Sequence, residues 1–175
     1  MAAVAEGGPA SLSLRDVARR VGVSHAAPTH HFRDKPGLLT AVAEQGYRLL
    51  ATELRSAWES TGSFLEVGVA YVRFAVRWRA HFDVMFRPDL YRPHDAALMA
   101  ANQEAASLLF GPVASVGTVD AQNDGRLAGL AAWSLVHGLA TLWLNGNLPD
   151  TFGSDPETAA RAVTGQLFAR PPASA

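Results

Sequence analysis

The 175-residue chain contains no cysteine, so no disulfide bridge and no thiolate metal site can form within it. Charged residues are also scarce, at 18%, whereas hydrophobic residues reach 49%, which is typical of a folded globular protein and excludes a disordered one. The first eleven residues lack a basic segment followed by an apolar run, so they do not predict a signal peptide. We therefore expect a protein of the reducing cytoplasm.

The sequence also lacks the common signatures of catalysis. It has no glycine-rich phosphate loop, no His and Glu at metal-ligating spacing, and no Ser-His-Asp pattern with elbow glycines. We therefore predict that the chain is not an enzyme and carries no cofactor.

The net charge of −1 is distributed unevenly. Residues 14–35 contain two acids, Asp16 and Asp34, but five cations, namely Arg15, Arg19, Arg20, Arg33 and Lys35. Residues 100–175 contain three arginines but six acids, namely Glu104, Asp120, Asp124, Asp150, Asp155 and Glu157. This asymmetry is compatible with a polyanionic partner at the first part of the chain, and equally with random scatter.

Nearly every segment has the composition and period of a helix, so the predicted fold class is all-α. A short helix is expected from Ser13 to Val21, with Ser13 and Asp16 forming a capping box and Gly22 ending it. A second helix follows Ser24 and runs to about Phe32. Further helices are predicted over about 35–58 (capped by Asp34), 64–78, 81–86, 95–116, 126–144 and 155–168.

Residues 127–144 form an uncharged stretch of 18 positions, close to the minimum length of a membrane span. It contains Ser134, His137 and Thr141, and Arg126 is the only basic residue beside it. The stretch therefore predicts either a membrane helix or, as we prefer, a helix with one face in a protein core and the other in a subunit interface.

Three histidines, His25, His30 and His31, lie close together in the sequence. A helix advances about 100° per residue, which separates each pair of these side chains by about 100–140°. No pair has the i, i+4 spacing that places two imidazoles on one metal ion. We therefore predict no metal site here.

The same region has the layout of a helix-turn-helix: two short helices joined by a three-residue turn that contains Gly22. Ala18 is small where the two helices must cross. The second helix presents small and hydrogen-bonding side chains, which suits insertion into a major groove.

Residues 13–39, SLRDVARRVGVSHAAPTHHFRDKPGLL, resemble the DNA-binding region of the TetR family of bacterial transcriptional regulators. The matching features are Ser13, Val17-Ala18, Gly22-Val23-Ser24, His31-Phe32, and Lys35 followed by Leu38. The resemblance implies a homodimer with a DNA-binding head, here residues 1–48, and a larger helical domain for effector binding and dimerisation, here residues 49–175. It further implies a repressor that leaves its operator when a small molecule binds.

Carried over residue by residue, the resemblance assigns DNA contacts to seven positions. Base or backbone contacts fall on Arg15, His25, Ala27, Thr29 and His30. Phosphate contacts fall on His31 and Lys35, although His31 could instead pack beside Phe32.

Two departures from the family pattern favour an alternative function, a helical ligand-binding and dimerisation module with impaired DNA binding. Thr29 stands where the family usually has a tyrosine that contacts the DNA backbone. Only Ala2 to Gly8 are present where the family has a full first helix, which predicts either a misassigned start or a reduced head.

The effector should be small, apolar and neutral, since the last long apolar helix contains no charged residue. The second domain contains many aromatic residues and two methionines, and most of them should be plain core. The candidates for lining a cavity are Tyr71, Trp78, Met99 and His137. His137 could donate a hydrogen bond to a ligand or be a satisfied core histidine.

Overall fold

A computed structural model describes residues 2–24, 26–111 and 125–168. Within these ranges all regular structure is helical, which confirms the predicted all-α class. The helices are α1 (Ala2–Ser11), α2 (Leu14–Val21), α3 (Ala26–Phe32), α4 (Lys35–Thr61), α5 (Phe64–Arg77), α6 (Arg79–Met85), α7 (Ala96–Phe110), α8 (Gly125–Leu144) and α9 (Pro156–Phe168), with a 3-10 turn at Asp150–Phe152.

The helix ends follow local signals in the sequence. Gly22 ends α2 with φ 71°, in the left-handed region that favours glycine. Asp34 caps α4, because its Oδ1 accepts the backbone N–H of Gly37 at 2.8 Å. Asp155 caps α9 in the same way through the N–H of Thr158, at 3.0 Å. The predicted continuation of α7 beyond Gly111 lies outside the described residues.

The predicted capping box of α2 is wrong. Ser13 occupies the N-cap position, but no side-chain hydrogen bond caps the helix there. The Asp16 carboxylate instead accepts a hydrogen bond from Arg19, at 3.0 Å. A cation one turn further along the helix offers a stronger partner than a neutral N–H, so the ion pair replaces the box.

The chain divides into two compact units, residues 1–51 with 78–105 and residues 52–77 with 106–175. The predicted boundary after residue 48 separates two functions, whereas these units are defined by packing, so that boundary stays a prediction. In the first unit α2 packs on α3 and α1 packs on α6. Gly46 lets α4 approach α6 closely, since a Cβ there would lie 2.5 Å from the sulfur of Met85.

In the second unit α5 is the central helix and packs on both α8 and α9. Every residue from Val67 to Val72 is buried, as are Phe74 and Ala75. Gly68 lies at the crossing, where a Cβ would meet Thr164 of α9 and Val136 of α8 at 3.3 Å each. A paired contact of Arg161 with Glu66, at 3.0 and 3.1 Å, joins α9 to α5 and lowers the pKa of the Glu66 carboxyl.

Helix α8 buries only part of its surface in the described chain. Over Leu127–Leu144 it has a mean hydropathy of 1.5 with 22% of its residues buried, so by length and composition it could cross a membrane. Core helices of soluble proteins meet the same criterion. The leucines Leu127, Leu130 and Leu142 are 64%, 47% and 44% exposed.

Candidate nucleic-acid interface

Helices α2 and α3 form the core of the candidate interface. Ala18, on α2, is fully buried, and its carbonyl accepts the backbone N–H of Val23 at 3.1 Å. The N–H of Ala27 then bonds the Ser24 carbonyl at 3.1 Å, which starts α3 directly after the turn. The left-handed glycine of the turn joins two short helices that pack on each other, as the sequence predicts.

The exposed side of α3 carries Thr29, His30 and His31, whereas Ala27 is half-buried. Pro28 is buried on the opposite side. It lies within the first turn, where a backbone N–H has no helical partner to lose, so its ring is buried at little cost in hydrogen bonding. Four predicted DNA contacts on or beside this side (Ala27, Thr29, His30, His31) therefore share one helix.

The histidine pair of α3 is arranged edge to face. The rings of His30 and His31 are 5.6 Å apart and nearly perpendicular, and the ring of His31 lies 6.3 Å from that of Phe32. In the described part of the chain no three His, Asp or Glu side chains gather as metal ligands. His25, a further predicted DNA contact, lies outside the described residues.

Two predicted contacts lie on the neighbouring helices. Arg15 is exposed on α2. Lys35 is half-buried at the start of α4, and its ammonium group donates a hydrogen bond to the carbonyl of Ala10 near the end of α1. The cation predicted to hold a phosphate therefore ties α1 to α4 here. Helix α1 itself is interrupted at Gly8, which has φ 72° and ψ 166°.

A second cluster of predicted site residues lies in the second unit, where Tyr71 and His137 contact each other. The Tyr71 hydroxyl is 2.9 Å from Nδ1 of His137, and the indole N–H of Trp133 donates to the same hydroxyl at 3.2 Å. The hydroxyl of Tyr71 accepts from Trp133 and can donate its own proton to Nδ1 when His137 is neutral and protonated on Nε2. The two candidates thus satisfy each other.

The histidines predict a pH dependence of folding. Burial lowers the pKa of both His137 and His81. Below about pH 6.5 the unfolded chain therefore binds more protons than the folded one, and stability falls with falling pH. Urea titrations from pH 7.5 to 5 should show this loss.

His137→Asn should flatten the pH profile of the unfolding free energy. The Asn oxygen can still accept the Tyr71 proton but cannot titrate. His81→Asn is the parallel variant, because Nε2 of His81 lies 3.1 Å from Oε1 of Gln45. Burial lowers the pKa of His81 as it lowers that of His137. The double variant should be flatter than either single one. An unchanged slope in His137→Asn would show that its burial does not govern its charge.

The remaining predicted ligand residues, Trp78 and Met99, lie in the first unit. The indole ring of Trp78 contacts His81 edge to face, at 5.6 Å. Met99 is 52% exposed and lines a cavity of about 330 Å³ bounded by α4, α6 and α7. Two of the four candidates therefore lie in each unit.

Two family models match the chain. Residues 1–42 match the model described as bacterial regulatory proteins, tetR family, and residues 64–167 match the one described as tetracyclin repressor-like, C-terminal domain. The second match alone covers more than half of the chain. The protein belongs to the TetR family. It is accordingly a DNA-binding transcriptional regulator with a helix-turn-helix head and a helical C-terminal domain.

Solved structures share the fold of this chain. A protein of unknown function from Rhodococcus sp. RHA1 is 31% identical, with a TM-score of 0.77 over 94% of this chain and 87% of that one. PfmR, a TetR family transcriptional regulator from Thermus thermophilus, is 21% identical, with a TM-score of 0.74 over 95% of this chain and 93% of its own, and shows the shared fold. No curated protein matches in sequence.

TetR family regulators are non-enzymatic proteins of the cytoplasm that bind operators and small-molecule effectors as dimers. The sequence predicts the short helix α3 of this TetR regulator but assigns Arg92 no role. Arg92 contacts Asp34, 58 positions earlier, at 2.8 Å. An Arg-Pro pair in a loop gives no local signal of such a contact.

Proposed function

We propose that this TetR regulator is a cytoplasmic homodimeric repressor that binds a double-stranded DNA operator and is released by a small apolar effector. The main support is the exposed side of α3, which carries Thr29, His30 and His31 beside a buried crossing at Ala18. A helix with small residues at its start and hydrogen-bonding groups outward can enter a major groove.

Within this proposal, His25, Ala27, Thr29 and His30 meet base edges or nearby backbone, with Arg15 reaching from α2. His31 and Lys35 meet phosphates. Histidine and threonine side chains can donate to or accept from either target. The head is residues 1–48, and residues 49–175 bind the effector and the second copy. Tyr71, Trp78, Met99 and His137 stay candidate effector contacts.

Dimerisation would use α8, whose leucines Leu127, Leu130 and Leu142 are exposed in one copy. Its opposite side is occupied by α5, against which Val136 lies at the Gly68 crossing. A helix with one apolar side buried and another exposed is what a helical dimer interface requires.

A second candidate function is a ligand-binding and dimerisation module that holds DNA weakly. Two observations favour it: Lys35 is hydrogen-bonded to Ala10 instead of facing solvent freely, and α1 is broken at Gly8. Thr29 also replaces the tyrosine of the family. Since the two candidates differ in DNA affinity alone, one binding experiment separates them.

Lys35→Ala should weaken binding to every DNA sequence and lower the slope of log affinity against log salt by about one unit, because one phosphate contact is lost. His30→Ala should instead change which sequences bind best. Both are measured by gel shift and salt titration on the promoter flanking the gene.

Arg48→Ala is the matched control, since it removes an exposed positive charge from the same helix, one that pairs with Glu44 at 2.7 Å. It should leave the salt slope as it is. If the full chain shows no salt-dependent binding to the promoter, the ligand-binding module is the correct function. An equal change in Lys35→Ala and Arg48→Ala would show that only overall charge matters.

A further inference from the structure

The first unit contains a cavity of about 330 Å³ to which α4, α6, α7 and the segment joining α6 to α7 all contribute. Its lining is mostly aromatic, proline and thioether side chains, among them Tyr47, Phe86, Tyr91 and Met99. Its volume falls at the lower end of the range of small-molecule sites. It is also distinct from the Tyr71–His137 cluster, whose polar atoms are bonded to each other in the second unit.

The polar groups of the cavity favour a neutral ligand that donates one hydrogen bond. The hydroxyls of Tyr47 and Tyr91 both donate to the carbonyl of Met85, at 3.3 and 2.8 Å. The two hydroxyls also lie close enough to interact with each other, and the Asn102 amide adds both a donor and an acceptor to the lining. No charged side chain is found among the described residues that line it.

The segment that joins α6 to α7 forms part of the cavity wall, and its residue Arg92 contacts the DNA-binding head. Tyr91 and Pro93 line the cavity, and Arg92 between them points to the start of α4. The backbone N–H of Arg92 donates to Oγ1 of Thr40 at 3.0 Å, and its guanidinium bonds Oδ2 of Asp34 at 2.8 Å. Thr40 is buried and itself donates to the Pro36 carbonyl at 2.7 Å.

Asp34 is the junction between α3 and α4. Its other carboxylate oxygen caps α4 through Gly37, and its backbone N–H donates to the carbonyl of Phe32, the last residue of α3, at 2.9 Å. Arg92 therefore connects the segment that carries Tyr91 and Pro93 to Asp34, the residue that lies between α3 and α4.

We propose that this cavity is the effector site, that it takes a small neutral aromatic molecule with one hydrogen-bond donor, and that occupation draws Arg92 away from Asp34 and Thr40. Once Asp34 is released, α3 can change its orientation relative to α4 and no longer fits the DNA. Only the second part of this inference, the effect on DNA binding, rests on the proposed repressor function. Binding of the molecule to the cavity is independent of DNA.

The first experiment uses N-phenyl-1-naphthylamine, a neutral aromatic amine that fluoresces in apolar surroundings, titrated into the full chain. Asn102→Trp should fill the cavity mouth and weaken binding about tenfold or more. Gln103→Trp is the matched control, because it places the same ring at the neighbouring exposed position of α7, which does not line the cavity. No binding by the wild type, or equal binding by both variants, would overturn the site.

The second experiment tests the connection to the head. Saturating probe should lower wild-type affinity for the promoter DNA by about tenfold, within the usual range of such coupling. Arg92→Gln should lower that affinity without probe and largely remove the probe effect. Arg87→Gln is the control, since Arg87 pairs with Asp89 inside the same loop, at 3.0 and 2.9 Å, and should behave as wild type.

The outcomes separate the two ideas. If the chain does not bind the promoter at all, the repressor function fails while the fluorescence titration still decides the site. If the probe binds the cavity and DNA affinity does not change, the connection through Arg92 is wrong. If Arg92→Gln responds to the probe as wild type does, the ion pair is not the link.

Discussion

Replacing Ala18 with leucine should abolish DNA binding by the TetR regulator. Ala18 lies on α2, which packs on α3, and has no solvent-accessible surface. Its carbonyl also holds the N–H of Val23 across the turn. The additional carbon atoms of a leucine must enter a site that is already fully buried, and overpacking of this kind costs about 1–3 kcal/mol. We expect the strain to shift α2 against its neighbour α3, which displaces Thr29 and His30 together.

The measurement is DNA affinity by fluorescence anisotropy on the flanking promoter, with helix content followed by circular dichroism. We expect affinity to fall at least about 100-fold while most of the helical signal is kept, because the second unit does not contain Ala18. Ala100→Leu on α7 is the control, since that alanine is exposed and an added side chain there meets solvent. Unchanged binding by Ala18→Leu would show that the α2–α3 angle does not govern DNA recognition.

The parts of the fold that the sequence predicts well depend on single residues acting locally. Gly22 ends α2 because only a left-handed residue satisfies the last carbonyls, and Asp34 and Asp155 start helices because a carboxylate accepts free N–H groups. The capping box failed for a local reason too. Within one helical turn the Asp16 carboxylate could accept a hydrogen bond from a backbone N–H or from Arg19. It pairs with Arg19, which is the charged partner.

The candidate site was predictable only where one helix carries it. Helical period alone places Thr29 and His30 outward and Pro28 inward on α3, as the structure shows. Contacts between distant segments were not predictable. Tyr71 and His137 were each expected beside a ligand, but their contact at 2.9 Å depends on how α5 packs on α8.

The same limit applies to Lys35. Its position at the start of α4 favours a phosphate by sequence, since helix N-termini attract anions. The competing carbonyl of Ala10 belongs to a helix 25 positions away. No pattern around Lys35 indicates that α1 ends beside it. Sequence thus predicts the chemistry that a side chain offers, and tertiary packing selects which partner receives it.

Leu130→Arg should convert the proposed dimer into a monomer. With about 100° per residue, the exposed residues of α8 fall within an arc of about 120°. They are Leu127, Leu130, Ala131, Ser134 and Leu142, and none is charged. The buried residues, Gly129, Val136, Leu139 and Ala140, lie on the other side. An arginine on the exposed side would be buried without a partner in each copy of a dimer.

Sedimentation equilibrium at micromolar concentration measures the effect. Loss of an interface leucine and burial of a charge should each weaken association, so we expect a dissociation constant at least about 100-fold higher, with operator affinity falling as well because both heads are needed. Gln103→Arg, on the exposed part of α7, adds the same charge and should stay dimeric. A wild-type monomer would contradict the dimer directly. Partitioning of the wild type into lipid vesicles, lost in Leu130→Arg, would instead assign the same uncharged side of α8 to a membrane.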